Sequence, residues 1–258
     1  MRAAVPGWPR YRRAVLAFVC ALASVTLTAC GGGEEDPDEG TNGLAKLTAE
    51  EIEQEVRGAV EGATAVRLSG TVITEGTTYR LDMRIGEGGG VGEVSTEGTT
   101  FELLRVGEDL FIKADAGFWQ SQDDPEDEDG EESADPDPAH KLDGKYVRVA
   151  PEDPAYGQLS GFTDRNVLLD GLLALEGERA IGERGELGGV QTIRLEAGEG
   201  AGGAMEISLI GTPYPLRFER GGAAGELTLT DWNKEFTLHA PPEEEILDYG
   251  DEMVTDED

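Results

Sequence analysis

Two cysteines, two histidines and few basic residues limit what this 258-residue chain can do. His140 and His239 stand about a hundred residues apart, with no partner spacing that would suggest a catalytic triad or a metal pair. No phosphate-binding loop, dinucleotide fingerprint or GxSxG elbow occurs. The chain therefore reads as a non-enzyme with no cofactor and no metal. Lys and Arg number 21 against 54 Asp and Glu, a formal net charge of −33. Nucleic acids are held mainly through Lys and Arg, so a nucleic-acid partner is excluded. Long apolar runs are also missing. The uncharged segment from Ala14 to Leu27 has 14 residues, short of the roughly 20 needed to span a hydrocarbon core.

What surrounds that segment is more specific. Arg2, Arg10, Arg12 and Arg13 precede it with no acidic residue, and Leu27-Thr28-Ala29-Cys30 closes it. This is the positive, apolar and small-residue order of an export signal, and its end resembles the lipobox of bacterial lipoproteins. The resemblance implies that the signal peptidase reads Leu27, Thr28 and Ala29, that residues 1–29 are removed, and that the Cys30 thiol takes a diacylglycerol. Two acyl chains suffice for stable anchoring where one is marginal, which places the protein on the extracytoplasmic face of the cell membrane. Arg12-Arg13 leaves twin-arginine and general secretion both open. Without its leader the chain keeps 229 residues, and loss of the four arginines leaves 17 basic against 54 acidic residues, a net charge of −37. Cys20 departs with the leader and Cys30 is acylated, so no disulfide is available and a hydrophobic core must hold the fold.

Acidic, Gly- and Pro-rich segments punctuate the rest. Residues 30–43 read as a disordered acidic tether, about 20 Å in typical reach. Residues 120–140 read as a disordered acidic insert, and 248–258 as an acidic tail, leaving 44–247 as a single domain. The insert fails as an EF-hand, because counting from Gly130 puts Pro125 and Pro136 at ligand positions. Between these segments, alternation marks strands: Tyr79, Leu81, Met83, Ile85; Leu110, Ile112, Ala114; Ile193, Leu195; Met205, Ile207, Leu209; Tyr214, Leu216, Phe218; Leu227, Leu229; and Phe236, Leu238. Short strands with Gly-rich turns argue for antiparallel sheet. Thr48 with Glu51 forms a capping box ahead of Ile52, Val56, Ala59, Val60 and Ala63. A second helix is predicted from Thr163 to Leu175, and a short one around Glu244 to Leu247.

The order of parts then resembles a known group. Lipobox, acidic tether and amphipathic helix are followed by Leu104-Arg105-Val106-Gly107-Glu108-Asp109-Leu110-Phe111-Ile112-Lys113-Ala114, by Phe118-Trp119, and by Gly144-Lys145-Tyr146-Val147-Arg148-Val149. The leucine-rich helix, Pro213-Tyr214-Pro215-Leu216-Arg217 and Ala240-Pro241-Pro242 complete it. This is similar to actinobacterial, Streptomyces-type envelope lipoproteins and, distantly, to the mycobacterial LppX and LprG lipid-carrier family. The resemblance implies an α+β fold, a curved antiparallel sheet or half-open β-barrel of the LolA and LppX type with helices over its concave face. It also implies a lipid or other hydrophobic ligand. Leu81, Met83, Leu103, Phe118, Trp119, Leu168 and Leu172 are the candidate lining. The alternative is a scaffolding lipoprotein that meets an envelope protein through its acidic loop or a sheet edge.

Overall fold

Tyr79, Leu81, Met83 and Ile85 share one face of β2 (Thr77–Gly86), and register carries that alternation across the whole sheet. The computed structural model describes residues 38–74, 76–96, 98–120, 138–172 and 174–247. Here β1 (Ala65–Thr74), β2, β3 (Gly89–Ser95), β4 (Thr100–Val106), β5 (Asp109–Ala114) and β6 (Tyr146–Val149) form an antiparallel meander in chain order. A second meander comprises β7 (Arg179–Leu187), β8 (Val190–Ala197), β9 (Gly203–Ser208), β10 (Pro215–Arg220) and β11 (Gly225–Thr230). β11 pairs with β1 and joins the two halves, while β12 (Ile246–Leu247) lies parallel to β6 at one edge. The result is one twelve-stranded sheet, curved and unclosed, with β7 at the opposite edge. The expected α+β fold with a curved, half-open antiparallel sheet is the one found.

One face of this sheet is largely apolar from β6 to β8, with Arg105 as a polar exception and Arg179 at the β7 edge. Leu68 stands beside Met83 and Leu229, Leu103 beside Ile112, Ile112 beside Val147, and Leu195 beside Met205, all of them buried. Gly92 pairs with both Met83 and Leu103 on this face, and a Cβ there would come 2.7 Å from the Met83 sulfur. The glycine thus gives the long Met83 side chain room to lie across the next strand. Gly70 has φ 147, and a Cβ on it would overlap the Glu226 carbonyl, so β1 and β11 approach closely only because that position has no side chain.

Helices cover the apolar face. α1 (Ala49–Glu61) begins at the capping box: the Glu51 carboxylate accepts from Thr48 N–H at 2.8 Å, and Thr48 Oγ1 accepts from Glu51 N–H at 3.3 Å. Its Ile52, Val56 and Val60 are buried in the sheet's core, each worth up to about 1.5–3 kcal/mol relative to exposure. Arg179 on β7 grips Glu53 of α1 with two hydrogen bonds of 2.8 and 2.9 Å. Two short helices, α2 (Ala116–Gln120) and α3 (Pro138–Leu142), flank the acidic insert, of which 121–137 lies outside the described residues. The helix predicted from Thr163 to Leu175 is α5 (Arg165–Leu172), shorter at both ends. It follows an unanticipated helix, α4 (Pro154–Ser160), that starts on an Asp153 cap with Pro at the first position.

Three sequence expectations are corrected. The tether proposed for 30–43 ends sooner, because Asn42 donates from its backbone to Leu209 O at 2.8 Å and from its side chain to Ser208 O at 3.0 Å, while Arg184 reaches Asp38 at 2.6 Å. The strand around Phe236 and Leu238 is instead irregular chain crossing the outer face, with Phe236 over Gly86 and Leu238 over Gly89. A short 3₁₀ turn, Glu243–Glu245, replaces the C-terminal helix and leads into β12.

Candidate functional site

The apolar side of β2, β4 and β5 forms the floor of the candidate site. Leu81, Met83 and Leu103 are fully buried there, in one cluster with Ile112, Ala114 and Val147. β5 ends at Ala114, and Asp115 turns the chain back over the floor by accepting from Phe118 N–H at 3.0 Å. Asp143 accepts from Ala116 N–H at 3.2 Å and Gly144 N–H reaches Ala114 O at 2.9 Å, so both ends of the insert return to one place. Phe118 consequently packs 5.1 Å from Phe101 and edge-on to Trp119, with ring centres 4.9 Å apart. The predicted pair Phe118-Trp119 thus joins Leu81, Met83 and Leu103 in one cluster.

Trp119 is 7% exposed, and among the described residues its indole N–H is buried without a hydrogen-bond partner. A buried donor in that condition costs about 1–3 kcal/mol. Trp232, by contrast, stacks on Tyr214 at 4.6 Å and donates to Pro215 O at 3.0 Å. Leu168 is half-buried against the core beside the buried Leu169. Leu172 ends α5, and its side chain lies outside the described residues, as do Leu27, Thr28, Ala29 and Cys30.

Sequence reasoning missed Arg105. It occupies the inward position next after Phe101 and Leu103, and its guanidinium donates to Thr163 Oγ1 and to Thr163 O, each at 2.9 Å, and to Gly107 O at 3.0 Å. Thr163 is fully buried, so this one arginine ties the α4–α5 connection to the sheet. The signal was available: a charged residue in phase with buried ones on an alternating strand requires a polar partner. Tyr156 adds a second tie, donating to Glu108 O at 2.7 Å.

The convex face differs in kind. Arg67 grips Asp82 at 2.9 and 2.7 Å, and Arg194 meets Glu219 at 2.6 Å and Glu206 at 3.3 Å. These bonds hold the Asp82 and Glu219 carboxyls below their ordinary range. Burial, then a 2.6 Å hydrogen bond to Glu102, pushes the Tyr146 phenol up. An open pocket of about 230 Å³ among Ser69, Gly70, Thr71, Arg80, Leu81, Asp82, Glu93 and Ser95 opens on this face. A smaller one of about 20 Å³ lies between Arg67, Arg84 and Phe236. The larger one shares Leu81 with the floor, and its other lining residues do not belong to it. Among the described residues no cluster of three metal-ligating side chains occurs, and no helix is long and apolar enough to cross a membrane.

No protein-family model matches the chain, and no curated protein matches it. Among solved structures it is similar to LprF from Mycobacterium bovis, at 16% identity over 75% of this chain and 96% of that one, with a TM-score of 0.50. The chain has the LprF fold. LppX, a lipoprotein of Mycobacterium tuberculosis, is 15% identical over 74% of this chain and 97% of its own, with a TM-score of 0.41. The resemblance to the LppX and LprG group that the motif order suggested is therefore one of fold.

Proposed function

We propose that this chain is a non-enzymatic lipoprotein of the cell envelope, anchored through acyl chains on Cys30, that binds or carries a hydrophobic molecule. The observation that carries the reading is the one-sided sheet: a largely apolar concave face, unclosed along its edges, roofed by short helices rather than by a second sheet. Burying an acyl chain against such a face gains about 25 cal/mol per Å² of apolar surface. Leu81, Met83, Leu103, Phe118, Trp119 and Leu168 supply the lining, and the roof around α2, α3 and α5 is where a ligand enters. The lipobox supports the anchor independently. A net charge of −37 gives the mature domain no attraction of its own for an anionic bilayer, so the acyl chains do the holding.

Two experiments test the two halves. Cys30→Ala releases the protein from the membrane fraction or leaves it at the mass of the unprocessed precursor, and a variant that loses its leader yet stays in the membrane contradicts the anchor. A fluorescent stearate analogue titrated into the purified protein brightens saturably, and a flat titration contradicts the ligand.

One feature favours the scaffolding alternative. β7 is a nine-residue edge with Ile181 43% exposed, and such an edge can accept a strand from a partner. Pull-down of an envelope protein that is lost on Ile181→Lys, with stearate binding intact, selects that alternative.

A further inference from the structure

The aromatic cluster at α2 holds a donor with nothing to donate to. Among the described residues the Trp119 Nε1–H has no acceptor, although the side chain is more than nine-tenths buried. Its surroundings are apolar: Phe118 stands edge-on to it, Phe101 stands behind Phe118, and both belong to the cluster that contains Leu81, Met83 and Leu103. If packing were the whole role, phenylalanine would fill a core position without burying a polar atom. The fold satisfies its other described indole, since Trp232 has Pro215 O. Tryptophan is the side chain for a place where an apolar body must also present a polar handle.

The geometry points to Trp119 as the polar contact of the concave-face ligand site, donating its Nε1–H to an oxygen acceptor on an otherwise apolar molecule. This rests on the ligand-binding reading above and narrows it. The ligand is an apolar chain that carries an ester or other carbonyl oxygen, rather than a bare hydrocarbon. An oxygen brought to Trp119 gains more than in water, because among the described residues the indole has no other partner to give up.

Two probes of nearly equal length separate the contributions. Methyl laurate carries an ester and tetradecane carries none, and the dissociation constant of each is measured on the wild-type protein and on Trp119→Phe. Water solvates the ester, so the readout is the ratio of the two dissociation constants: Trp119→Phe weakens methyl laurate relative to tetradecane by about tenfold, or about 1.4 kcal/mol, while still binding tetradecane. Loss of packing weakens both probes alike and leaves their ratio unchanged, so a ratio unaffected by the substitution overturns the proposal. Binding of neither probe refutes the ligand-binding reading itself. Should Trp119→Phe not fold, the indole resonance of a Trp232→Phe protein decides. Methyl laurate shifts the Trp119 N–H downfield and tetradecane does not. A strongly hydrogen-bonded shift already present without any probe overturns the proposal.

Discussion

The two faces of the sheet are made from alternate residues of the same strands and are held in different ways. Leu68 and Arg67 are neighbours in β1, yet Leu68 is buried among leucines and methionines while Arg67 faces solvent in a two-bond grip on Asp82. On the concave side stability comes from excluded water and close packing, which is costly to disturb. On the convex side it comes from ion pairs with partly exposed partners, each worth about 0–1 kcal/mol. The same period of two therefore yields one surface that does not tolerate substitution and one that does, apart from the buried Leu104–Phe111 pair on the convex side.

The largest effect that would break this comparison is on the floor. Leu103→Ala should destabilise by about 2–5 kcal/mol in chemical denaturation, and a loss under 1 kcal/mol would mean that the floor is loosely packed. Gly92→Ala drives a methyl into the Asp82 carbonyl oxygen as well as against the Met83 sulfur, and should cost at least about 1–3 kcal/mol. Arg105→Met leaves Thr163 buried without its donors, at about 1–3 kcal/mol. It should also open the α4–α5 segment to proteolysis, where unchanged cleavage would refute the tie.

On the convex face, Glu219→Gln should cost no more than about 1 kcal/mol at neutral pH. The hydrogen bonds from Arg194 depress the folded Glu219 pKa, so its contribution is present above the ordinary carboxylate range and is lost as pH falls through the folded value. The stability gap between wild type and Glu219→Gln should therefore close below about pH 4, and a gap that widens in acid would contradict the assignment.

How much of this was legible follows the same division. Alternation at Tyr79 to Ile85, Leu110 to Ala114 and Met205 to Leu209 identified strands and their buried faces, because a half-buried strand writes its environment into every second residue. The capping box at Thr48 likewise marked the start of α1, both of its bonds being local. Phe236 and Leu238 misled, since alternation records which side is covered and not whether the backbone pairs. Their chain lies across a finished sheet. Glu244 to Leu247 was read as helix from its glutamates, whereas parallel pairing with Tyr146 and Val147, a hundred residues away, decides it. Of the candidate site, the floor and the Phe118-Trp119 pair were legible as apolar residues. The orphaned indole N–H and the Arg105 to Thr163 tie depend on contacts between distant segments, which no local pattern encodes.

The central claim is that the concave face receives a hydrophobic molecule, and native mass spectrometry of protein released gently from the membrane tests it most directly. The account predicts discrete adducts of lipid mass beyond the acyl groups on Cys30, removed by organic extraction and reduced in a Leu103→Asp variant that remains folded. A single mass equal to the acylated chain alone, unchanged after incubation with lipid extract, would contradict it.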